Sequence, residues 1–230
     1  MPIMTTLFPE PKSPLIPILG SELSFPVRRV YCVGRNYAAH AQEMGHDERE
    51  LPFFFSKPAD SLVVEPKSLP YPPMTSELHH EVELVIAISK ELIEADEHQA
   101  ADGIYGYALG IDLTKRDMQA IAKQKGRPWD LAKGFDQSAP ISSIQPIASL
   151  DEINNGIIRL SVNQKVKQEG QLSDMIWSPS EVIAELSKHV TLRAGDLIFT
   201  GTPSGVGAVE RGDKIEATLN QELNLDFYIE

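Results

Sequence analysis

One cysteine in 230 residues, Cys32, leaves no intramolecular disulfide to be made, so stability must come from a core. Lying in the apolar stretch RRVYCVG, it reads as a buried structural thiol rather than a nucleophile. Long hydrophobic runs are also missing: none approaches the ~18 residues of a membrane-spanning helix. Basic residues are few, 21 Lys and Arg against 33 Asp and Glu. The resulting formal charge of −12 argues against nucleic acid or an anionic membrane as main partner. A small anionic substrate stays possible, because a local metal ion or lysine reverses the field inside one cleft. The opening MPIMTTLFPEPKSPLIPILG has neither the basic and unbroken apolar regions of a signal peptide nor the arginines of a transit peptide. Residues 1–20 are therefore expected to form an extended arm, residues 21–230 a single domain, and the protein to be cytoplasmic.

What the chain does contain is a series of short strand-like runs: RRVYCVG, PFFFSKP, EVELVIAIS, YGYALGIDL, IIRLSVN, DLIFTGT and DKIEATL. A few helical segments lie between them. Asn36 is placed to cap YAAHAQEM, which Gly45 ends. Thr114 is placed to cap KRDMQAIAKQK, stopped by Gly126 and Pro128. Ser178, Pro179 and Glu181 spell a capping box with proline at the first helical position, opening EVIAELSKHV. Strands outnumber helices without regular alternation, which predicts a mixed, mostly β fold with short helices. The turns RAGD (193–196) and RGDK (211–214) read as hairpin punctuation.

The acidic residues with the most apolar neighbours are Glu81 and Glu83 in HHEVELVIAI and Asp112 in YGYALGIDLT. On a strand, side chains at i and i+2 share a face, about 7 Å apart. Glu81 and Glu83 would lie side by side, with Val82, Leu84 and Ile86 opposite, and a second buried strand would bring Asp112 alongside. Carboxylates packed together away from water repel unless a cation compensates. An all-oxygen cluster suits a hard ion, Mg²⁺ first, then Mn²⁺ or Ca²⁺. Taken alone, the E-x-E pattern also fits a half-exposed strand with two solvent-facing glutamates. His79 and His80 adjoin the cluster as ligands or as hydrogen-bonding partners.

Two further groups add chemistry. GRNYAAHAQEMG sets His40 and Glu43 three residues apart on a short helix, a carboxylate beside an imidazole, as needed to deprotonate a water. With few apolar anchors between Gly34 and Gly45, that helix resembles a mobile lid; a surface His–Glu pair is the plainer alternative. After Asp112, a helix from Thr114 would present Arg116 and Gln119 on one face. Lys133, in GRPWDLAKGF, is either a snorkelling surface residue or a fixed cation for a carboxylate or enolate. The loop TGTPSGVG (200–207) lacks the Gly-Lys-Ser/Thr ending of a P-loop, but its backbone N–H groups and the Thr202 hydroxyl suit a small anion.

In this order, GRNYAAHAQEMG, HHEVEL, GIDLTKRDMQ, KGRPWDLAKGFD and TGTPSGVG resemble the fumarylacetoacetate hydrolase superfamily, in its short branch of acylpyruvate hydrolases and oxaloacetate-processing enzymes. The resemblance spans roughly residues 25 to 219. It implies a mixed β-roll, usually a homodimer, with one divalent ion per subunit, normally Mg²⁺. Carried over by position, it implies Glu81, Glu83 and Asp112 as metal ligands and His40 and Glu43 as the water-activating pair. Lys133 and Gln119 fall on substrate- and enolate-contacting positions, with Arg116 near them, Thr202 on the carboxylate-binding loop, and Arg35 as a further candidate substrate contact.

The expected substrate is a small 2-oxo or 2,4-dioxo acid, whose enolate the ion stabilises as a Lewis acid while Lys133 adds a second positive charge. Three outcomes share that enolate: hydrolytic C–C cleavage of an acylpyruvate (fumarylpyruvate-like), decarboxylation of oxaloacetate, or its keto–enol tautomerisation. Hydrolysis is the leading expectation because of His40 and Glu43. A dedicated oxaloacetate tautomerase, or an isomerase or decarboxylase of the homoprotocatechuate pathway, is the alternative. A non-catalytic, metal-stabilised binding protein would explain the carboxylates but not His40, Glu43 and Lys133.

Overall fold

Two apolar faces of one sheet organise the chain. The computed structural model describes residues 6–9, 12–37, 50–147, 149–220 and 222–230. The largest sheet runs, in order, β4 (Phe53–Lys57), β3 (Arg29–Gly34), β15 (Asp196–Phe199), β8 (Val82–Ile88), β9 (Ile104–Ile111), β11 (Ala139–Ile141) and β5 (Leu62–Val64), with β12 (Gln145–Pro146) also on β9. A second sheet orders β14 (Lys165–Gln171), β13 (Ile157–Val162), β17 (Lys214–Leu219), β18 (Leu223–Ile229) and β6 (Ser68–Leu69). Three short strands, β10 (Thr114–Lys115), β7 (Leu78–His80) and β16 (Gly207–Val209), form a third, and β1 (Leu15–Pro17) with β2 (Ser24–Pro26) a hairpin. The helices are short: α1 (Glu97–Ala101), α2 (Arg116–Gln124), α3 (Asp130–Lys133), α4 (Asp151–Asn154) and α5 (Pro179–His189). The fold is mostly β with short helices, as expected. Among the described residues no helix is long and apolar enough to cross a membrane.

Strand alternation divides the core. Val82, Leu84, Ile86 and Ile88 of β8 pack with Ile158, Leu160, Ile215, Ala217 and Phe227 of the second sheet. The opposite face carries Val85 and Ala87, which join Ala108, Cys32, Leu197 and Phe199 in a second core. The stretch assigned to an arm contributes Ile16 and Ile18 to it. Cys32 is free and fully buried, a packing residue.

The box at Ser178 forms as read: its hydroxyl accepts from Glu181 N, and Pro179 opens α5. Thr114, however, does not cap α2. It is a strand residue paired with His79, its hydroxyl donates to Asp112 O at 3.2 Å, and Lys115 precedes the helix without a side-chain cap. Asn36 is a buried staple. Its amide donates to Thr200 O and Trp177 O and accepts from Trp177 N, all at 2.8 Å. The helix it was expected to cap lies outside the described residues. RAGD and RGDK are tight turns with Gly195 and Gly212 at positive φ, yet neither closes a hairpin. RAGD leads into β15, and RGDK joins β16 and β17, which belong to different sheets.

Gly110 of β9 sits opposite Glu83, with Val85 and Phe199 packed where a side chain would be. A Cβ there would lie 2.6 Å from both Val85 Cγ2 and Phe199 Cε1, buried groups without room to retreat. Gly110→Ala should lower unfolding free energy by about 1–3 kcal/mol, measured as a lower denaturation midpoint at unchanged m-value.

Candidate active site and metal centre

The β8–β9 register creates the site. Val82 faces Ile111 and Glu83 faces Gly110, and Asp112 N donates to Glu81 O at 2.8 Å one step beyond the ladder. Glu81 and Asp112 therefore sit across from each other on the face that carries Glu83, where the second core ends. Glu81, Glu83 and Asp112 are 6%, 2% and 0% exposed, and one carboxylate oxygen from each lies within 4.8 Å of the others. Burial removes the solvent-facing alternative for the E-x-E pattern.

Lys133, from α3, is 2% exposed and is the fixed cation, not the snorkelling one. Its ammonium donates to Glu81 Oε2 at 2.7 Å and Asp112 Oδ2 at 2.5 Å. Arg116 opens α2 and donates through Nη2 to Glu81 Oε1 and through Nη1 to Gln119 Oε1 at 2.5 Å. Burial alone would raise the Glu81 pKa, but Lys133 and Arg116 overcome it and hold the carboxyl well below its usual range. Burial would lower Lys133; Asp112 and Glu81 outweigh it and raise the ammonium above its ordinary value.

Glu83 is different. Its hydrogen bond comes from Gly201 N at 2.7 Å. Burial, then the charges of Asp112 and Glu81, push its pKa well above the carboxylate range, and Lys133 and Gly201 only partly offset this. A buried carboxylate short of positive charge, inside an all-oxygen trio, fits a hard divalent cation. Asp112 Oδ1 fits too: Lys57 Nζ stands 2.8 Å away as an ion pair but out of line for a hydrogen bond.

The remaining candidates fall in or beside the same cleft. Arg35, Arg116, Gln119, Lys133 and Thr202 line it with the three carboxylates. The Thr202 hydroxyl donates to Val82 O and accepts from Gln168 Nε2, both at 2.8 Å, so its proton is committed to the backbone. Anion binding by this loop would rest on backbone N–H groups. Gly201, at φ 98°, has no space for a Cβ against Asn36. His79 and His80 are outside the carboxylate group. Burial lowers both pKa values, and His80 Nδ1 donates to Gln168 Oε1 at 2.8 Å. His40 and Glu43 lie outside the described residues.

Two residues were missed from sequence. Lys57 is 2% exposed, and besides Asp112 its ammonium reaches Ser138 O at 3.1 Å and Ser138 Oγ at 3.0 Å, tying the end of β4 to the site. The signal was a lysine following three phenylalanines in one apolar run, the same signature that flagged Lys133. Gln168, 1% exposed, donates to Thr202 and Pro203 and accepts from His80 and Val82. Nothing in KVKQEGQ marks it.

Comparison with known proteins identifies relatives of this chain. Residues 29–225 match the profile of the fumarylacetoacetate (FAA) hydrolase C-terminal family. The chain is 42% identical over 202 residues to the oxaloacetate tautomerase YcgM of Escherichia coli K12, covering 87% of this chain and 92% of that protein. It is 46% identical over 166 residues to a fumarylpyruvate hydrolase from a Ralstonia species, covering 72% and 86%. A crystal structure of Pseudomonas aeruginosa fumarylpyruvate hydrolase with Mn²⁺ and pyruvate superposes with TM-score 0.94 at 44% identity, covering 98% and 99%.

Glu83→Gln keeps the shape and removes the uncompensated charge. Chelator-treated variant should melt no lower than wild type, and Mn²⁺ should raise the melting temperature of wild type only. Because the folded pKa of Glu83 is raised, stability of the metal-free wild type should increase as pH falls through it, levelling near the unfolded value of about 4.3. The glutamine variant should lack that increase, measured by chemical denaturation across pH.

Proposed function

We propose, for a chain that belongs to the fumarylacetoacetate hydrolase family, a divalent-metal-dependent enzyme that acts on small 2-oxo or 2,4-dioxo acids through an enolate. The leading reaction is hydrolytic C–C cleavage of an acylpyruvate, with oxaloacetate decarboxylation or tautomerisation at the same site. The observation that carries this reading is the buried Glu81–Glu83–Asp112 trio with the Lys133 ammonium 2.7 Å from Glu81 Oε2. Mg²⁺ is the proposed physiological ion, with Mn²⁺ or Ca²⁺ able to replace it. We further assign the protein to the cytoplasm as a homodimer with no nucleic-acid or membrane partner; its −12 charge supports the lack of a nucleic-acid or anionic-membrane partner.

Glu81, Glu83 and Asp112 would hold the ion, which when bound supplies Lewis acidity toward the oxygens of a 2-oxo acid. Lys133, fixed by two carboxylates, keeps a positive charge beside the position where the enolate oxygen gains negative charge. Arg116 and Gln119, already joined to each other, orient the acid from one side, and Arg35 and the backbone of the Thr202 loop from others. Glu43 raises the basicity of His40, which takes a proton from water as its oxygen attacks C4 of a 2,4-dioxo acid. The C3–C4 bond then breaks, its electron pair passing to the pyruvate enolate while C4 leaves as a carboxylic acid.

Incubation with Mg²⁺ and a panel of acylpyruvates and oxaloacetate, following enol absorbance and pyruvate release, tests the reading; no turnover and no enol exchange would reject it. His40→Ala should separate the exits. A positioned general base contributes about 10²–10⁴-fold, so acylpyruvate cleavage should fall by that factor while keto–enol exchange falls less. An equal fall in both would make His40 the proton shuttle for C3 and favour the tautomerase. Unchanged hydrolysis would remove His40 from the mechanism.

A further inference from the structure

The carboxylates and Lys133 account for the base of the cleft; its mouth is built from other residues. Arg35, Phe53, Lys123 and Trp129 line the cleft with the trio. The Phe53 and Trp129 rings meet edge-to-face at 5.3 Å and 87°. The Arg35 guanidinium lies 5.4 Å from the centre of Phe53, and Lys123 Nζ 5.7 Å from that of Trp129. The four side chains make a row: cation, ring, ring, cation.

The cations of the base are already engaged, Arg116 and Lys133 with Glu81, Lys133 and Lys57 with Asp112. Among the described residues, Arg35 and Lys123 form no ion pair. A cation over an aromatic face is held in place without being neutralised, and its N–H groups stay free to donate. Arg35 occupies a left-handed backbone, φ 60°, that a side chain rarely adopts, and from that turn reaches Phe53. Lys123 follows Arg116 by seven residues and Gln119 by four, on the same face of α2. Burial, then the charges of Arg35 and Arg116, lower its pKa, placing its ammonium in their field. Among the described residues, the lining carries four cations (Arg35, Arg116, Lys123, Lys133) against three carboxylates, a surplus of one that a divalent ion raises to three.

We propose that Lys123 and Arg35 form a second anion subsite at the mouth of the cleft, taking the distal carboxylate of a substrate that carries a carboxylate at each end. The preferred substrates are then dianionic 2-oxo acids, with acylpyruvates lacking a second carboxylate used poorly. Arg35 offers a planar fork of donors and Lys123 a point charge, so the tail is held from two sides while the 2-oxo acid head lies at the trio. This assignment rests on the 2-oxo acid reading of the base.

Two five-carbon 2-oxo acids test it, 2-oxoglutarate and 2-oxopentanoate, which differ by the distal carboxylate. Their binding to the Mn²⁺-loaded full chain is measured by titration calorimetry, with oxalate as a probe of the base alone. Wild type should bind 2-oxoglutarate at least about tenfold more tightly than 2-oxopentanoate, the worth of one charge-assisted hydrogen bond. Lys123→Gln should remove about tenfold of 2-oxoglutarate affinity and change 2-oxopentanoate and oxalate by less than about twofold, and Arg35→Gln should weaken 2-oxoglutarate about tenfold more than it weakens 2-oxopentanoate. Retained oxalate binding shows that each variant is folded. Equal affinity of wild type for the two acids, or equal weakening of both in the variants, overturns the subsite. If wild type binds oxalate and neither acid, the subsite alone fails; if it binds none of the three, the 2-oxo acid reading fails and the subsite with it.

Discussion

Three carboxylates held side by side out of water are the constraint to which the rest of this molecule answers. Each would repel the others and seek a proton, and removing one partner of a buried ion pair costs about 3–5 kcal/mol. The chain meets that demand from four directions. Lys133 comes from a four-residue helix, Lys57 from the end of an edge strand, Arg116 from the start of α2, and Gly201 N–H from the loop after β15. Glu83 stays the least compensated, so the position best prepared for an added cation is set by what the protein's own cations leave unbalanced.

The demand also explains the fold around the site. Side chains alternate along β8, so a shift of one residue against β9 would turn Glu83 into the main core and Leu84 out to the cleft. Register is fixed by fully buried residues on both faces: Leu84 and Ile86 on one, Val85 and Ala87 on the other. Gln168 extends this control by linking β14 to the start of β8 and to Thr202, drawing three separate segments onto one amide.

How much of this was legible in the sequence depended on how local its cause was. Glu81 and Glu83 were readable because i and i+2 share a face on any strand, and the apolar residues between them gave the opposite face. The Ser178 box was readable because its partner is three residues away. Lys133 left two readings open, since lysine in an apolar stretch looks alike whether it snorkels or is caught by carboxylates 52 and 21 residues distant. Lys57 and Gln168 were not read: their partners lie 55 and 88 residues away, the apolar setting of Lys57 left the same two readings open as that of Lys133, and the segment of Gln168 carries no pattern. Thr114 misled for the same reason: its sequence suits a cap, but pairing with β7 claimed it for a strand.

The division between base and mouth bears on why relatives with different names share this architecture. A tautomerase at 42% identity and a hydrolase at 46% differ too little in overall similarity to assign a reaction by resemblance. An enolate-stabilising base suits both, since both reactions pass through the same charge distribution, and it is built on strands whose register admits little change. What differs between the exits is whether a water is activated and how far the substrate extends beyond its 2-oxo acid head. Under the roles proposed above, the first would rest on His40 and Glu43 and the second on rim side chains such as Arg35 after β3 and Lys123 on an exposed part of α2, outside the buried Glu81–Glu83–Asp112 trio. Selectivity can thus diverge at the mouth while the base stays fixed, and the identity of the reaction is to be sought at the rim.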